Sequence, residues 1–585
     1  MTLGPWRTIF LAAVAAPLLT GRVTATPLAY DIHLDAPAPQ RKLLEGNLDL
    51  YRWRGSERMD GAQLRRLVSQ APEQIGSLLS TEGFYSPRIR ARLVEDAQPW
   101  RVELEVEPGT PSQVKSVAIE VQGAFADDSP ASSKRLAQMR LDWSLKPPSV
   151  FRHEDWETAK RAALRSLLID RYPAARVQAS QATVDPEARD VALSLTLDSG
   201  PAFSFGAIQV DGLRRYPARI IERLNPIRPG EPYAQGKLLE LQSRLQDSPY
   251  FASASVDMET DPSRPERVPV KVSVTENKAR TLGLGAGMST DTGPRGQVDY
   301  RDLNLFGQAW ILNGVLKLAQ KEQSLNGRLQ FPIDGKGYHN SLSAGWIRSD
   351  VEGEVTRTLT LGAARARTEG NREVAWGLNY YLEQQDVSGS VGDRRASLVP
   401  SWSWTLRDVD NLLFPTTGYL VNVQLAGGAR ALLSDRSFLR GATRAAWFRP
   451  LGDQGQLILR GELGSVLAGG RDGIPSTLLF RTGGDQTVRG YAYQSLGVPE
   501  GDAIVGGRAL ALASAEYVHW LSPQWGAAAF IDAGDAADSF GDLGAALGYG
   551  LGARWRSPVG PLSLDVAYGE KTGKLRLHFS VGFSF

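Results

Sequence analysis

Cysteine is absent from the 585-residue chain, which removes disulfide frameworks, thiol chemistry and zinc-thiolate sites. Histidine is scarce. His33, His153, His339, His519 and His578 stand singly, too scattered to suggest a histidine metal site. An excess of charge is missing as well: 66 Lys plus Arg face 64 Asp plus Glu for a net +2, so charge gives no argument for nucleic acid as a partner. Beyond the N-terminus no stretch approaches 18 uninterrupted apolar residues, which excludes a helical membrane protein. What is present begins as an export signal: Arg7, an apolar stretch from Ile9 to Leu19, then Val23-Thr24-Ala25 as a small-residue cleavage site. Cleavage is expected after Ala25. The remainder is several times the usual domain size, so it must be divided.

Composition changes near residue 277. Of the 60 glycines, 46 lie after residue 276, whereas 24 of the 34 prolines lie before it. The front part repeats a pattern with a period of roughly 80 to 90 residues. Glu107-Pro108-Gly109 leads into Val114, Val117, Ile119, Val121 and Gly123, and Asp198-Ser199-Gly200-Pro201 leads into Phe203, Phe205, Ile208, Val210 and Gly212. A helix with apolar spacing is expected in each module, marked by Leu64, Leu67, Ile75 and Leu78, by Trp156, Ala163, Leu164 and Leu167, and by Leu238, Leu241 and Leu245. Aromatic turns at Phe84-Tyr85, Tyr172-Pro173 and Tyr250-Phe251 precede alternating strands over 101–107, 191–197 and 268–274. Three strand, helix, strand, strand modules follow.

The rear part alternates in two-residue steps. Val374, Trp376, Leu378, Tyr380 and Leu382 share one parity; Leu398, Trp402, Trp404 and Leu406 alternate with Ser397, Ser401, Ser403, Thr405 and Arg407. A soluble sandwich would alternate too. Segments near ten residues, long charged side chains such as Arg460 and Glu462 on the polar parity, and the aromatic Phe585 favour a transmembrane barrel instead. Roughly 305 residues at about 19 per strand and loop allow about 16 antiparallel strands around a polar lumen.

The segment from Phe480 to Tyr491 sits between strand-like runs, and Gly483, Gly484 and Gly490 permit turns closed to other residues. With Val488-Arg489-Gly490-Tyr491 after the glycine pair, it resembles the signature loop of the BamA/TamA outer-membrane insertase superfamily. Phe530-Ile531-Asp532-Ala533-Gly534 is similar to that family's lumen-facing strand. The segments Gly550 to Arg554 and Ser557 to Leu562, with Asp565, resemble its penultimate-strand region, and Arg407, Asp408, Asn411, Phe414, Pro415 and Gly418 fit its R-D-x-x-N-x-x-F-P-x-x-G stretch. The resemblance implies three POTRA modules of β-α-β-β type, at 26–108, 109–200 and 201–277, after a signal peptide at 1–25, and a barrel over 278–585. The whole would lie in the outer membrane of a Gram-negative bacterium with its modules in the periplasm. Three modules, with no plug-like helix between Thr26 and Tyr30, point to the TamA branch rather than to five-module BamA chains or two-partner secretion transporters.

The resemblance further implies insertion of autotransporter or other β-barrel clients into outer-membrane lipid, with a TamB-like periplasm-spanning protein as partner and no cofactor. Arg489 is implied to meet Asp532 in the lumen, where Gly534 is its neighbour and water is expected to screen the pair. A seam is implied between the first and last strands, with Leu282, Gly283, Gly285 and Gly287 on one side and Gly582 and Phe585 on the other, glycine weakening the pairing. The rival function is a gated pore. A phospholipase lacks a nucleophile motif beside His519 or His578. Asp532, Asp535, Asp538 and Asp542 do not match the EF-hand loop and read as a charged turn, and Tyr216-Pro217 is turn chemistry.

Overall fold

The computed structural model describes residues 28–581 apart from 128, 335, 390, 391, 393 and 559. The expected signal peptide, and Gly582 and Phe585 of the expected seam, lie outside the described residues. The chain forms two compact units. One runs to Ala207 and includes Arg228–Lys237 and Met258–Val270; the other joins Ile208–Ile227 and Leu238–Asp257 to everything from Lys271 onward.

The first module comprises β1 (Tyr30–Asp35), α1 (Ala38–Asn47), α2 (Asp49–Arg52), α3 (Gly61–Thr81), β2 (Arg88–Val94) and β3 (Trp100–Glu107). Its sheet has the order β1-β3-β2, with β3 parallel to β1 and antiparallel to β2. Asp60 caps α3, its side chain accepting from the Gln63 N–H at 2.7 Å. The buried stripe Leu64, Leu67, Val68, Ala71, Ile75 and Leu79 follows the helical period and packs with Val102, Leu104 and Val106 of β3. The second module repeats the plan: β4 (Gln113–Gln122), α4 (Pro130–Asp142), α5 (His153–Leu168), β5 (Arg176–Asp185) and β6 (Asp190–Asp198), in the order β4-β6-β5. The third has β7 (Phe205–Asp211), α6 (Arg219–Leu224), α7 (Gln235–Gln246), β8 (Phe251–Met258) and β9 (Val268–Glu276), in the order β7-β9-β8. Each module carries more than the one helix its sequence pattern suggests. The additional helices have little apolar signal: α4 buries only Ser132 and Met139.

The rear part is a sheet of 16 antiparallel strands, each bonded to its sequence neighbour. It opens with β10 (Arg280–Ser289), β11 (Gly293–Leu305), β12 (Trp310–Ala319), β13 (Glu322–Gln330), β14 (Tyr338–Val351) and β15 (Glu354–Glu369). It continues through β16 (Arg372–Val387), β17 (Arg394–Val409), β18 (Gly418–Gly428), β19 (Phe438–Leu451) and β20 (Gly455–Leu467). A loop carrying the small hairpin β21 (Val498–Glu500) and β22 (Ala503–Val505) precedes β23 (Ala509–Trp520), β24 (Trp525–Ala537), β25 (Ala546–Ser557), β26 (Gly560–Gly569) and β27 (Lys574–Val581). Alternation assigns the faces. Trp376, Leu378 and Leu382 are exposed on the outside, while Glu383, Gln385, Ser397 and Thr405 are buried on the inside. Among the described residues no helix is long and apolar enough to cross a membrane; the strands carry the apolar outer band.

Strand length varies around the sheet. The strands β15, β16 and β17 have 16 residues each, whereas β10 and β26 have 10 and β27 has 8. Turns at the start of the sheet meet segments of the third module that belong to the same unit. The Tyr250 hydroxyl donates to the Ala309 carbonyl at 2.8 Å, Arg219 Nη2 to the Gln308 carbonyl at 3.1 Å, and Asn304 Nδ2 to the Arg215 carbonyl at 2.9 Å.

Candidate functional site: the lumen brace and the seam

The connection between β20 and β23 turns into the barrel. Its first part seats Ile474, Leu478, Leu479 and Phe480 against Val399, Phe438, Val466, Leu510 and Ala536 of the wall. The ring of Phe480 lies 4.7 Å below the Arg440 guanidinium, and Arg481 reaches Glu354 at 2.9 Å. The backbone then doubles back through Gly483, Gly484 and Gly490, all at positive φ. Gly490 is a close approach as well as a turn: a Cβ there would meet the backbone of Gly569 at 2.7 Å.

This path delivers Arg489 to the inner wall. Its Nε and Nη2 bond the two oxygens of Asp532 at 2.7 and 2.9 Å, a bidentate fork. The Asp532 carboxylate also accepts from the Arg489 backbone N–H at 3.1 Å and from the Ser514 hydroxyl at 2.7 Å. Arg489 Nη1 continues to Glu516 at 2.7 Å and Asp565 at 3.3 Å, and the guanidinium stacks 3.4 Å from the Phe530 ring centre. Arg554 closes the circuit with bonds to Glu516 at 2.8 Å and Asp565 at 2.5 Å, while Arg460 meets Glu516 at 3.1 Å. Three arginines thus oppose three carboxylates. The expectation that lumen water screens the Arg489–Asp532 pair does not hold, because Arg489 is 3% exposed and Asp532 0%. Loop and wall together exclude solvent, so the pair acts at close quarters in a poorly polarisable surround.

The wall is carved to receive the loop. A Cβ on Gly548 would collide with the Arg489 carbonyl, one on Gly569 would stand 2.5 Å from the Gly490 carbonyl, and one on Gly534 would crowd Val488 at 3.0 Å. Val488 and Tyr491 are buried with Ala546. The Tyr491 hydroxyl donates to the Leu547 carbonyl at 2.9 Å. The Gly490 N–H donates to His578 Nε2 at 2.9 Å, which ties the loop to the last strand and leaves the ring proton on Nδ1. Of the signature residues, Arg489 bonds Asp532 and Val488 lies against Gly534, whereas Gly484 faces Asp291, Gly490 faces Gly569 and His578, and Tyr491 bonds the Leu547 carbonyl.

Sequence reasoning did not assign the remaining members, Arg460, Glu516, Arg554, Asp565 and His578, to the brace. The one visible signal for Glu516 is its solitude, as the single acid in the strand ALALASAEYVHW. Asp535, Asp538 and Asp542 do not join Asp532. They serve Gly544 N–H, Arg471 with Arg508, and Ser539 respectively. In the R-D-x-x-N-x-x-F-P-x-x-G stretch, Asp410 Oδ1 accepts from the Thr416 and Thr417 N–H groups, and the Pro415 carbonyl accepts from Gln456 at 2.7 Å.

Beside the brace lies the open edge. The strand β10 bonds to β11 and β27 bonds to β26; among the described residues no ladder joins β10 to β27. Phe579 N–H donates to Thr290 Oγ1 at 3.2 Å across the gap. Leu282, Leu284 and Met288 are exposed on one face of β10, and Gly283, Gly285 and Gly287 are exposed on the other. The turn after β10 is held by the loop instead: the Asp485 N–H donates to Asp291 Oδ2 at 2.9 Å, and the Ser289 hydroxyl reaches Asp485 at 3.4 Å. Burial, and then the adjacent Asp291 carboxylate, push the Asp485 carboxyl up to about 8.

Comparison with known proteins places this geometry. The Omp85 superfamily domain matches residues 278–585, the POTRA domain TamA domain 1 matches 37–108, and the POTRA family described as surface antigen variable number repeat matches 203–277. The outer membrane protein assembly factor BamA of Neisseria meningitidis serogroup B is 25% identical over 516 residues, covering 74% of this chain and 63% of that one. The BamA of Nitratidesulfovibrio vulgaris is 24% identical over 405 residues, covering 65% and 51%. The chain thus spans about half to two thirds of the length of these relatives. The crystal structure of Haemophilus ducreyi BamA lacking POTRA domains 1–3 superposes with a TM-score of 0.68 at 17% identity, over 81% of this chain and all of that one, a likeness of fold. The apolar outer band accordingly meets the lipid of the bacterial outer membrane, and the POTRA modules lie in the periplasm. A 16-strand sheet with a braced lumen loop, matched over more than half the sequence, makes this chain a member of the Omp85 superfamily.

Proposed function

We propose that the protein assembles unfolded β-barrel clients, autotransporters among them, into the outer membrane without enzymatic chemistry, by lending the edge of β10 as a template. The observation that carries this reading is that, among the described residues, no ladder joins β10 to β27, beside a loop that bonds β27 through His578 and meets the β10 side at the turn after that strand. An exposed strand edge carries unpaired backbone donors and acceptors, and an incoming strand satisfies them by augmentation. Glycine at 283, 285 and 287 removes side chains from one face of that edge and lowers the cost of bending it. The match of the first module to a TamA POTRA domain supports placement in the TamA branch and a TamB-like partner docking on residues 28–107. The relatives named BamA support the broader assembly role.

The test uses the absence of native cysteine. Cysteine pairs are scanned from Leu282→Cys to Ser289→Cys against Leu575→Cys to Phe579→Cys, and those that bridge identify Cα atoms about 4.4 to 6.8 Å apart. In vesicles, an oxidised variant that migrates as a folded barrel is expected to stop inserting a urea-unfolded barrel client, and reductant restores insertion. Full insertion by the locked barrel overturns the template mechanism. Large, stable, ion-selective currents in planar bilayers would support the rival gated pore.

A further inference from the structure

The outer face of the barrel contains a polar row where its neighbours are apolar. Antiparallel register sets Gln323 opposite Arg348, Arg348 opposite Arg357, Arg357 opposite Gln384, and Gln384 opposite Arg394. All five share the outward parity of Leu342, Trp346, Leu359, Leu361, Trp376, Leu378 and Leu382, which are exposed. The row therefore crosses five neighbouring strands, β13 to β17, along the hydrogen-bonding direction. It lies three residues from the ends of β14 and β16, at the rim opposite the one where the chain enters the barrel at Arg280. With the modules in the periplasm, that rim belongs to the outer leaflet. The next outward-facing arginine on β15 is Arg365, eight residues on and roughly 26 Å along the strand. With strand tilt this corresponds to an apolar band of about 20 Å, close to the height expected of an outer-membrane barrel.

Two arginines directly opposite one another repel, and the fold answers with carboxylates one layer further out. Arg348 meets Asp350 at 3.1 Å and Gln323 at 3.2 Å, and Arg357 meets Asp386 at 2.8 Å. Arg394 is exposed. Arg357, Leu382, Gln384, Arg394, Ala396 and Asp435, together with Glu383 and Arg395 of the opposite parity, line an open concavity at this rim. Three guanidinium groups against Asp350, Asp386 and Asp435 make no general sink for anions. The layers instead read, from the membrane outward, apolar, cationic, anionic.

We propose that this concavity binds a phosphorylated glycolipid of the outer leaflet. Acyl chains lie on Trp346, Leu359 and Leu382; a phosphate is held by Arg357 and Arg394, whose planar forks match it; sugar hydroxyls donate to Asp386 and Asp435. Phosphatidylglycerol offers one phosphate with a small flexible diol in place of a phosphorylated sugar, and free phosphate lacks the chains.

The experiment is native mass spectrometry of the full chain in detergent with lipid A carrying two phosphates, dephosphorylated lipid A, phosphatidylglycerol or inorganic phosphate. The two-phosphate lipid A is expected to be retained at least ten-fold better than each of the others. The Arg357→Ala/Arg394→Ala variant is expected to lose that preference, and the Lys variants at both positions to recover part of it. Heat-modifiable migration verifies that each variant is folded, and Arg365→Ala/Arg367→Ala, at the opposite rim, is expected to bind as the parent does. Equal retention of phosphorylated and dephosphorylated lipid A, equal retention of phosphatidylglycerol, competition by inorganic phosphate alone, or unchanged binding by the Ala variant would each overturn the proposal.

Discussion

Asp532 accepts four hydrogen bonds, three of them from Arg489, in a place with no solvent exposure. Removing one member of such a pair strands the other charge, which costs about 3 to 5 kcal/mol when the site is fully buried. Arg489→Ala and Asp532→Ala are each expected to fall in that range, and the double variant to cost clearly less than their sum. Additive effects in a denaturant double-mutant cycle would show that the pair is not coupled. Asp485 makes a prediction of a different kind. Its raised pKa means that the docked loop binds a proton the free loop does not. The resulting stability is full at acid pH and declines as pH rises from the ordinary carboxylate range through about 8. The groups around it are Asp291, Ser289 and Gln486, with Tyr493 nearby. Exchange protection at residues 484–491, corrected for intrinsic rates, should therefore fall as pH rises toward about 8 and level off above it in the parent, and stay level throughout in Asp485→Asn. Equal slopes would exclude Asp485 as the group that titrates.

At the scale of elements, β24, β25 and β26 admit the loop because glycines stand where the backbones nearly touch. Gly548→Ala is expected to displace Arg489 from Asp532 and lower stability by about 1 to 3 kcal/mol, the usual cost of overpacking. Heat-modifiability would register it as an earlier transition, and an unchanged transition would mean the loop has slack. Alternation made the barrel legible, since Trp376 and Trp402 pair directly across β16 and β17 as their shared parity requires. The loop tip was legible through Gly483, Gly484 and Gly490. Its partners were not. Glu516 lies 27 residues from Arg489 and Asp565 lies 76 residues away, and a solitary carboxylate in an alternating strand does not announce which charge will meet it. The helices α1 and α4 escaped notice for the opposite reason: they are mostly polar and bury one or two residues each.

Over the whole barrel, order is unevenly distributed. The arginine and carboxylate circuit gathers β20, β23, β24, β25 and β26, and the Gly490–His578 bond adds β27. At the other lip, β10 has a ladder to β11 alone among the described residues. Amide exchange is accordingly expected to be much faster in β10 than in β26, and a faster β26 would contradict this picture. The loop reaches both lips, but the circuit of arginines and carboxylates lies on one side, while the β10 side is met at its turn through Asp485, Asp291 and Ser289; the lips differ as a leaf held at its latch differs from its jamb. Tyr250, Arg219 and Arg215 hold the turns beside β11 and β12, on the leaf side. On the proposed template mechanism, a pull on those periplasmic segments would reach the lip with fewer ties before the lip that carries the brace, and the third module would be the handle of a lever.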